Sequence, residues 1–183
     1  MLGKAALGPM LAHMHDLPRL ALSVRQPSAW AIIHGGKDIE NRTKGSIRAG
    51  RMGLGRICIH AAAGLTEDEF RYIAWRMQEN GVICPPPSTL PRGAIIGMVD
   101  VVEIVEHSDS PWFGGAAGLR LANPQALDTP IPAKGELGYF EWHTGGQVAA
   151  PLAWMRKYEP TDLFEDLPLT FAEPPRRPWP KSS

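Results

Sequence analysis

Apolar residues in this chain come in short runs parted by Gly- and Pro-rich stretches, a spacing that predicts short strands and only a few helices. Leu20–Val24 (LALSV) is an apolar run of strand length. Gln26-Pro27 then opens a helix. Proline suits the first helical position, Trp30, Ile32 and Ile33 supply an apolar face, and Gly35-Gly36 end it. Residues 38–43 can extend as a strand, and the Gly- and Arg-rich stretch 45–55 reads as an exposed, mobile loop. Residues 57–60 form a second core strand. Thr66 followed by Glu69 is a capping box. Phe70, Ile73, Ala74 and Met77 then recur at helical spacing until Gly81 closes the helix. Cys84-Pro85-Pro86-Pro87 suits neither a helix nor a central strand. Ala94–Val105 (AIIGMVDVVEIV) is the longest strand candidate, and Gly97 within it marks a bulge or bend. Short strands follow at 119–122, 126–131 and 138–142, and a last helix at 148–157 with Pro151 in its first turn. After Leu167 the prolines predict an extended tail that does not pack. The class is α+β, a small β-barrel flanked by helices.

At 183 residues the chain is one domain with tails, since domains average about 150 residues. The expected divisions are a flexible leader at 1–19, a folded domain at 20–158, and an acidic then Pro-rich tail at 159–183. As a signal peptide the leader is poor: Pro9 interrupts it and Lys4 alone supplies positive charge. No stretch is long and apolar enough for a membrane span, so no membrane partner is expected. Two cysteines, Cys58 and Cys84, exclude a disulfide framework and a four-cysteine zinc site. They suggest free thiols in a reducing, cytoplasmic setting.

Charge changes this picture only locally. The chain carries 19 basic and 19 acidic residues, which excludes a histone-like protein but not a basic patch. Arg25, Lys37, Arg42, Lys44, Arg48, Arg51 and Arg56 crowd one segment against only Asp38 and Glu40. Residues 93–119 carry acids and no Lys or Arg, and 158–173 likewise. The basic segment suits a phosphate-bearing ligand; the alternative is that it pairs with those acids across the fold.

Motifs for common chemistry are missing. There is no phosphate-binding GxxxxGK[ST] loop, and no helix follows Gly53-Leu54-Gly55. The histidines lack metal-ligand spacing and no GxSxG is present, so neither a metal nor a cofactor is expected. The informative segment is Gly35-Gly36-Lys37-Asp38-Ile39-Glu40-Asn41-Arg42. Lys37 sits at a helix-to-strand corner, and Glu40 and Arg42 share a strand face. Together they can bind a phosphate or perform acid–base work; equally, they can be a solvated turn with a surface ion pair.

These residues resemble an ASCH domain, the family named for homology to activating signal cointegrator-1. Its GxKxxExR signature is matched by Gly35, Lys37, Glu40 and Arg42. Further likenesses are Ala21–Pro27, Ala29–Ile33, ICIHA at 57–61, PRGAIIG at 91–97, SPWFG at 110–114, Ile131-Pro132 and GELGYFEW at 135–142. The resemblance spans 20–142. It implies a PUA-like fold, a small barrel with a cleft beside the signature, and binding of RNA or a modified base. Some family members are ribonucleases. A small subclass hydrolyses N4-acetylcytidine with the signature lysine, a threonine three residues on, and a glutamate elsewhere. Lys37 matches that lysine, while Glu40 stands at the threonine's position. Ser28 replaces a tryptophan common in the family, and 44–51 is basic where aromatic residues are usual.

Two classes of function stay open. The first is a module that binds RNA or another single-stranded nucleic acid, or a modified base, in a basic cleft. Arg25, Gln26, Lys37, Arg42, Lys44, Arg48 and Arg51 would supply polar contacts, and the loop aromatics Trp112 and Phe113 would stack on bases. The second is a metal-independent hydrolase of RNA or of a nucleoside such as N4-acetylcytidine, with Lys37 and Glu40 as the catalytic pair. Trp30 is expected in the core and His60 as a satisfied structural histidine. The Pro-rich tail offers a further contact for a protein partner.

Overall fold

The computed structural model describes residues 16–159 and 169–178; the expected leader up to residue 15 and the acidic stretch 160–168 lie outside the described residues. In chain order the elements are β1 (Leu20–Val24), α1 (Ser28–His34), β2 (Ile39–Arg42), α2 (Lys44–Ala49), β3 (Gly55–Ala61), α3 (Glu67–Glu79), β4 (Ala94–Val105), β5 (Ala117–Pro132) and β6 (Tyr139–Glu141). The strands make one mixed sheet in the order β2-β5-β4-β3-β1-β6. β1 and β3 are parallel, and the other neighbours are antiparallel. The sheet curls into an open half-barrel, not the closed barrel expected, because the edge strands β2 and β6 do not pair with each other.

Gly97 is where curvature enters. The β3–β4 register shifts beside it, between Ile59 and His60, and the β4–β5 register shifts between Ile95 and Gly97. A Cβ there would lie 2.6 Å from the Gln125 carbonyl oxygen and 2.7 Å from Ile33, so only glycine lets β5 and α1 approach so closely. The two strands expected at 119–122 and 126–131 are one, β5; register shifts along it carry the ladder past Pro124.

Pleating separates two apolar faces. Leu22 and Val24 of β1 and Ile57, Ile59 and Ala61 of β3 pack with Ile32 and Ile33 of α1. Ala21 and Cys58 point the other way, toward Phe140 and Ile95. The third cluster forms where α3 lays Phe70, Ala74 and Met77 against Ala31, Ile39, Val105 and Trp112. As expected, Thr66 and Glu69 cap α3 reciprocally. Both cysteines are buried and free, with thiols pushed up to about 12 by burial.

Three local expectations are corrected. The stretch after the signature is not all loop: Thr43 and Ser46 form a capping box that starts α2, with Ile47 buried beneath it. The last helix is only a 3₁₀ turn at Ala153–Tyr158, and Pro151 precedes it. The tail has no regular structure at 169–178, yet it packs. Leu169 and Phe171 join the α3 cluster, and the Gln78 side chain both donates to the Phe171 carbonyl (3.0 Å) and accepts from its N–H (2.8 Å). The proline count signalled an absence of helix; what it hid was a pair of apolar side chains able to dock.

Candidate nucleic-acid interface

The signature begins where α1 ends. The amides of Gly35 and Lys37 both donate to the Ala31 carbonyl, and Gly36 lies at φ +68°, a conformation that favours glycine. This turn sends the Lys37 side chain inward, where it is 6% exposed. Its ammonium donates to the Ile39 carbonyl and to Glu40 Oε2, both at 2.6 Å. The other oxygen, Glu40 Oε1, lies 3.2 Å from Arg42 Nη2, which also donates to the Ser23 carbonyl at 2.9 Å. Among the described residues, Arg42 Nε is buried without a hydrogen-bond partner. Burial works against the Glu40 charge but is outweighed by Lys37 and Arg42, so its carboxyl is held below the ordinary value of 4.5.

This two-cation, one-anion cluster forms part of a cleft of about 450 Å³. β1 and the turn after it contribute Ser23, Val24, Arg25, Gln26 and Ser28, and α3 contributes Glu69, Tyr72, Ile73 and Arg76. Trp112 and Gly114 line a further side, with Leu137 and Arg177 at the lips. Five cations and two carboxylates thus line one concavity, and Arg25 is paired with Glu69. Asn41 fixes the Trp112 loop to the signature strand: Nδ2 donates to the Trp112 carbonyl at 2.8 Å, and Oδ1 accepts from Gly114 N–H at 2.9 Å.

The residues expected in the site divide into groups. Lys37, Glu40, Arg42, Arg25, Gln26 and Trp112 meet in the cleft. Gln26 is fully buried and its polar atoms are occupied, accepting from Trp30 N–H at 3.0 Å and donating to the Pro91 carbonyl at 2.8 Å; it braces the wall. Trp112 is 6% exposed, a wall and not a free loop aromatic. Phe113 packs into the α3 cluster and does not line the cleft. Lys44, Arg48 and Arg51 lie outside the cleft on α2 and the turn after it, and Lys44 pairs with Glu106 at 2.7 Å. The capping box makes 44–49 a helix and Lys44 is held by Glu106, the residue after β4, so this stretch does not line the cleft.

His60 is buried and neutral in character: burial holds its imidazole below 6.5. Nε2 lies 3.0 Å from the Ala133 carbonyl, an acceptor only, so Nε2 carries the proton and Nδ1 accepts from the Ser23 hydroxyl at 2.9 Å. Gly135 covers this pair so closely that a Cβ there would lie 2.4 Å from His60. The arrangement latches β1, β3 and the connection to β6.

Sequence reasoning missed Asn41, Glu69, Tyr72, Arg76 and Arg177. A signal for three of these was available. Glu69, Tyr72, Ile73 and Arg76 follow i, i+3, i+4, i+7 spacing, a second helical face beside the buried one. For Arg177 the local sequence carried none. A family model described as ASCH domain matches residues 22–143. No curated protein matches the chain.

Proposed function

Because the chain belongs to the ASCH-domain family, which is associated with RNA binding, we propose that it binds single-stranded RNA by drawing one nucleotide into the signature cleft. The observation that carries this reading is a cleft of about 450 Å³ lined by five cations and two carboxylates, with Tyr72 and Trp112 in its walls. That volume falls in the range of small-molecule clefts, about 300–1,000 Å³. The excess positive charge favours phosphate, and aromatic walls favour a base. Arg42 holds, at the signature itself, an Nε that has no partner among the described residues. Hydrolysis is the weaker reading, because both Glu40 oxygens are occupied and its carboxyl is held in the charged form by two cations, a poor arrangement for accepting a proton.

The test is fluorescence anisotropy of a short labelled single-stranded RNA across a salt series, with the same RNA followed for cleavage. We expect affinity to fall with salt by about 0.7 log units per log unit for each phosphate engaged. The RNA should remain intact. Binding indifferent to salt, or absent, overturns the proposal. Cleavage that survives a chelator and is lost in Lys37→Ala replaces binding with hydrolysis.

A further inference from the structure

Two arginines meet at the mouth of the cleft, and among the described residues no carboxylate pairs with either. Arg76 projects from α3, and its Nη2 donates to the Pro111 carbonyl at 2.7 Å. Its Nη1 lies 3.2 Å from where a Cβ on Gly114 would stand. Arg177 arrives from the tail: its Nη2 donates to the Gly114 carbonyl at 3.4 Å, and its guanidinium lies over the Tyr72 ring, 5.9 Å from the centroid. Among the described residues neither arginine forms a salt bridge, and Arg177 Nε is buried with no hydrogen-bond partner. Two like charges converging on one glycine repel each other. A built structure tolerates this where an anion is to be held.

The convergence is not an accident of a loose end. Leu169 and Phe171 are docked on α3, and Gln78 binds the Phe171 backbone through both its polar atoms. That anchor lies two residues from Arg76 on the same helix, so one element positions both arginines. Asn41 holds Gly114 from the signature strand, which ties this corner to the Lys37–Glu40–Arg42 cluster. Arg177 also lies outside the matched segment 22–143, so the tail adds to the cleft something the family match does not include.

We propose that Arg76 and Arg177 form a phosphate-binding subsite at the cleft mouth, half of which is supplied by the tail. The ligand is a phosphate group flanking the bound nucleotide, either a phosphodiester within a strand or a terminal phosphomonoester. Planar guanidinium forks suit phosphate oxygens, and Arg177 Nε–H adds a donor already stripped of water. The described tail segment completes the cleft and does not block it: a segment mimicking a phosphate ligand would bring negative charge, whereas residues 169–178 carry Arg176 and Arg177 against Glu173 alone.

The inference rests on the reading of the cleft as an RNA site, and the experiment separates the two. Full-length wild type, Arg177→Gln, Arg76→Gln and an exposed control outside the cleft, Arg156→Gln, are titrated with labelled RNA bearing or lacking a 5′ phosphate. Cytidine 5′-monophosphate and inorganic phosphate are titrated in parallel, following arginine Nε–H signals by NMR. Arg177→Gln and Arg76→Gln should each weaken RNA binding about tenfold, the scale of a charged hydrogen bond. Each should also flatten the salt dependence by about 0.7. Arg156→Gln should do neither. A loss confined to 5′-phosphorylated RNA identifies the terminal monoester; an equal loss on both RNAs identifies the internal diester. If wild type binds RNA and Arg177→Gln binds it equally well with the same salt slope, the subsite is wrong and the cleft reading stands. If wild type binds no RNA, the cleft reading falls. The subsite is then decided by cytidine monophosphate and phosphate: a shifted Arg177 signal sustains it, and an unmoved one overturns it.

Discussion

At Glu40, burial and two neighbouring cations pull in opposite directions, and the cations prevail. Removing its charge strands Lys37, which is 6% exposed, beside a half-buried Arg42. Breaking a buried pair from one side costs about 3–5 kcal/mol. Glu40→Gln should therefore shift the urea midpoint strongly downward, and an unchanged midpoint would mean that the cluster is solvated. Two buried groups, His60 and Glu40, set an acid limit. His60 has its folded value depressed by burial below 6.5, so below about that pH the unfolded chain takes up a proton that the folded one refuses. Stability should begin to fall there. A second loss should begin below 4.5, as Glu40, also depressed, resists protonation only in the folded state. Urea midpoints measured from about pH 7 downward test both, and a flat profile through the first step contradicts the neutral His60.

Among the elements, α2 is the one whose sequence misled. Its hydrophobic signal is a single residue, Ile47, and Gly45 sits in its first turn, so periodicity had nothing to register. What starts it is Thr43, whose hydroxyl accepts from Ser46 N–H at 3.0 Å. Thr43→Ala should cost about 1 kcal/mol, the usual worth of a cap. No loss in thermal unfolding would show that tertiary contacts alone hold the helix. α3 was legible because its cap and its apolar repeat agreed, and β4 because a twelve-residue apolar strand has few alternatives. β5 was not, since prolines read locally break a strand that bulges can carry through. The signature residues were legible as a group, because spacing put Glu40 and Arg42 on one face. The opposite wall was not, because it comes from α3 and the tail, brought in only by tertiary packing.

Across the whole molecule, the even charge balance is spent unevenly. Lys44 pairs with Glu106 and Arg56 with Asp100, so two of the seven cations of the basic stretch meet the later acids, as the alternative reading of the charge pattern held, while Arg25 pairs with Glu69, and Lys37 and Arg42 share Glu40. The cleft keeps a surplus of five cations over two carboxylates. Lys44→Glu should accordingly change RNA affinity less than Arg42→Gln does; the reverse order in anisotropy titrations would move the interface to α2. The parallel pairing of β1 with β3 has a consequence in time. Residues 25–54, which hold the entire signature, run between those strands as a crossover. The ladder cannot zip until that long segment has folded back, a closure whose entropy is spent before any of its contacts repay it. The ion cluster therefore has no early life as a local nucleus. On dilution from denaturant, RNA-binding competence should return in step with the sheet's circular-dichroism signal. Capture of RNA by a species still lacking that signal would show that the signature organises itself without the sheet.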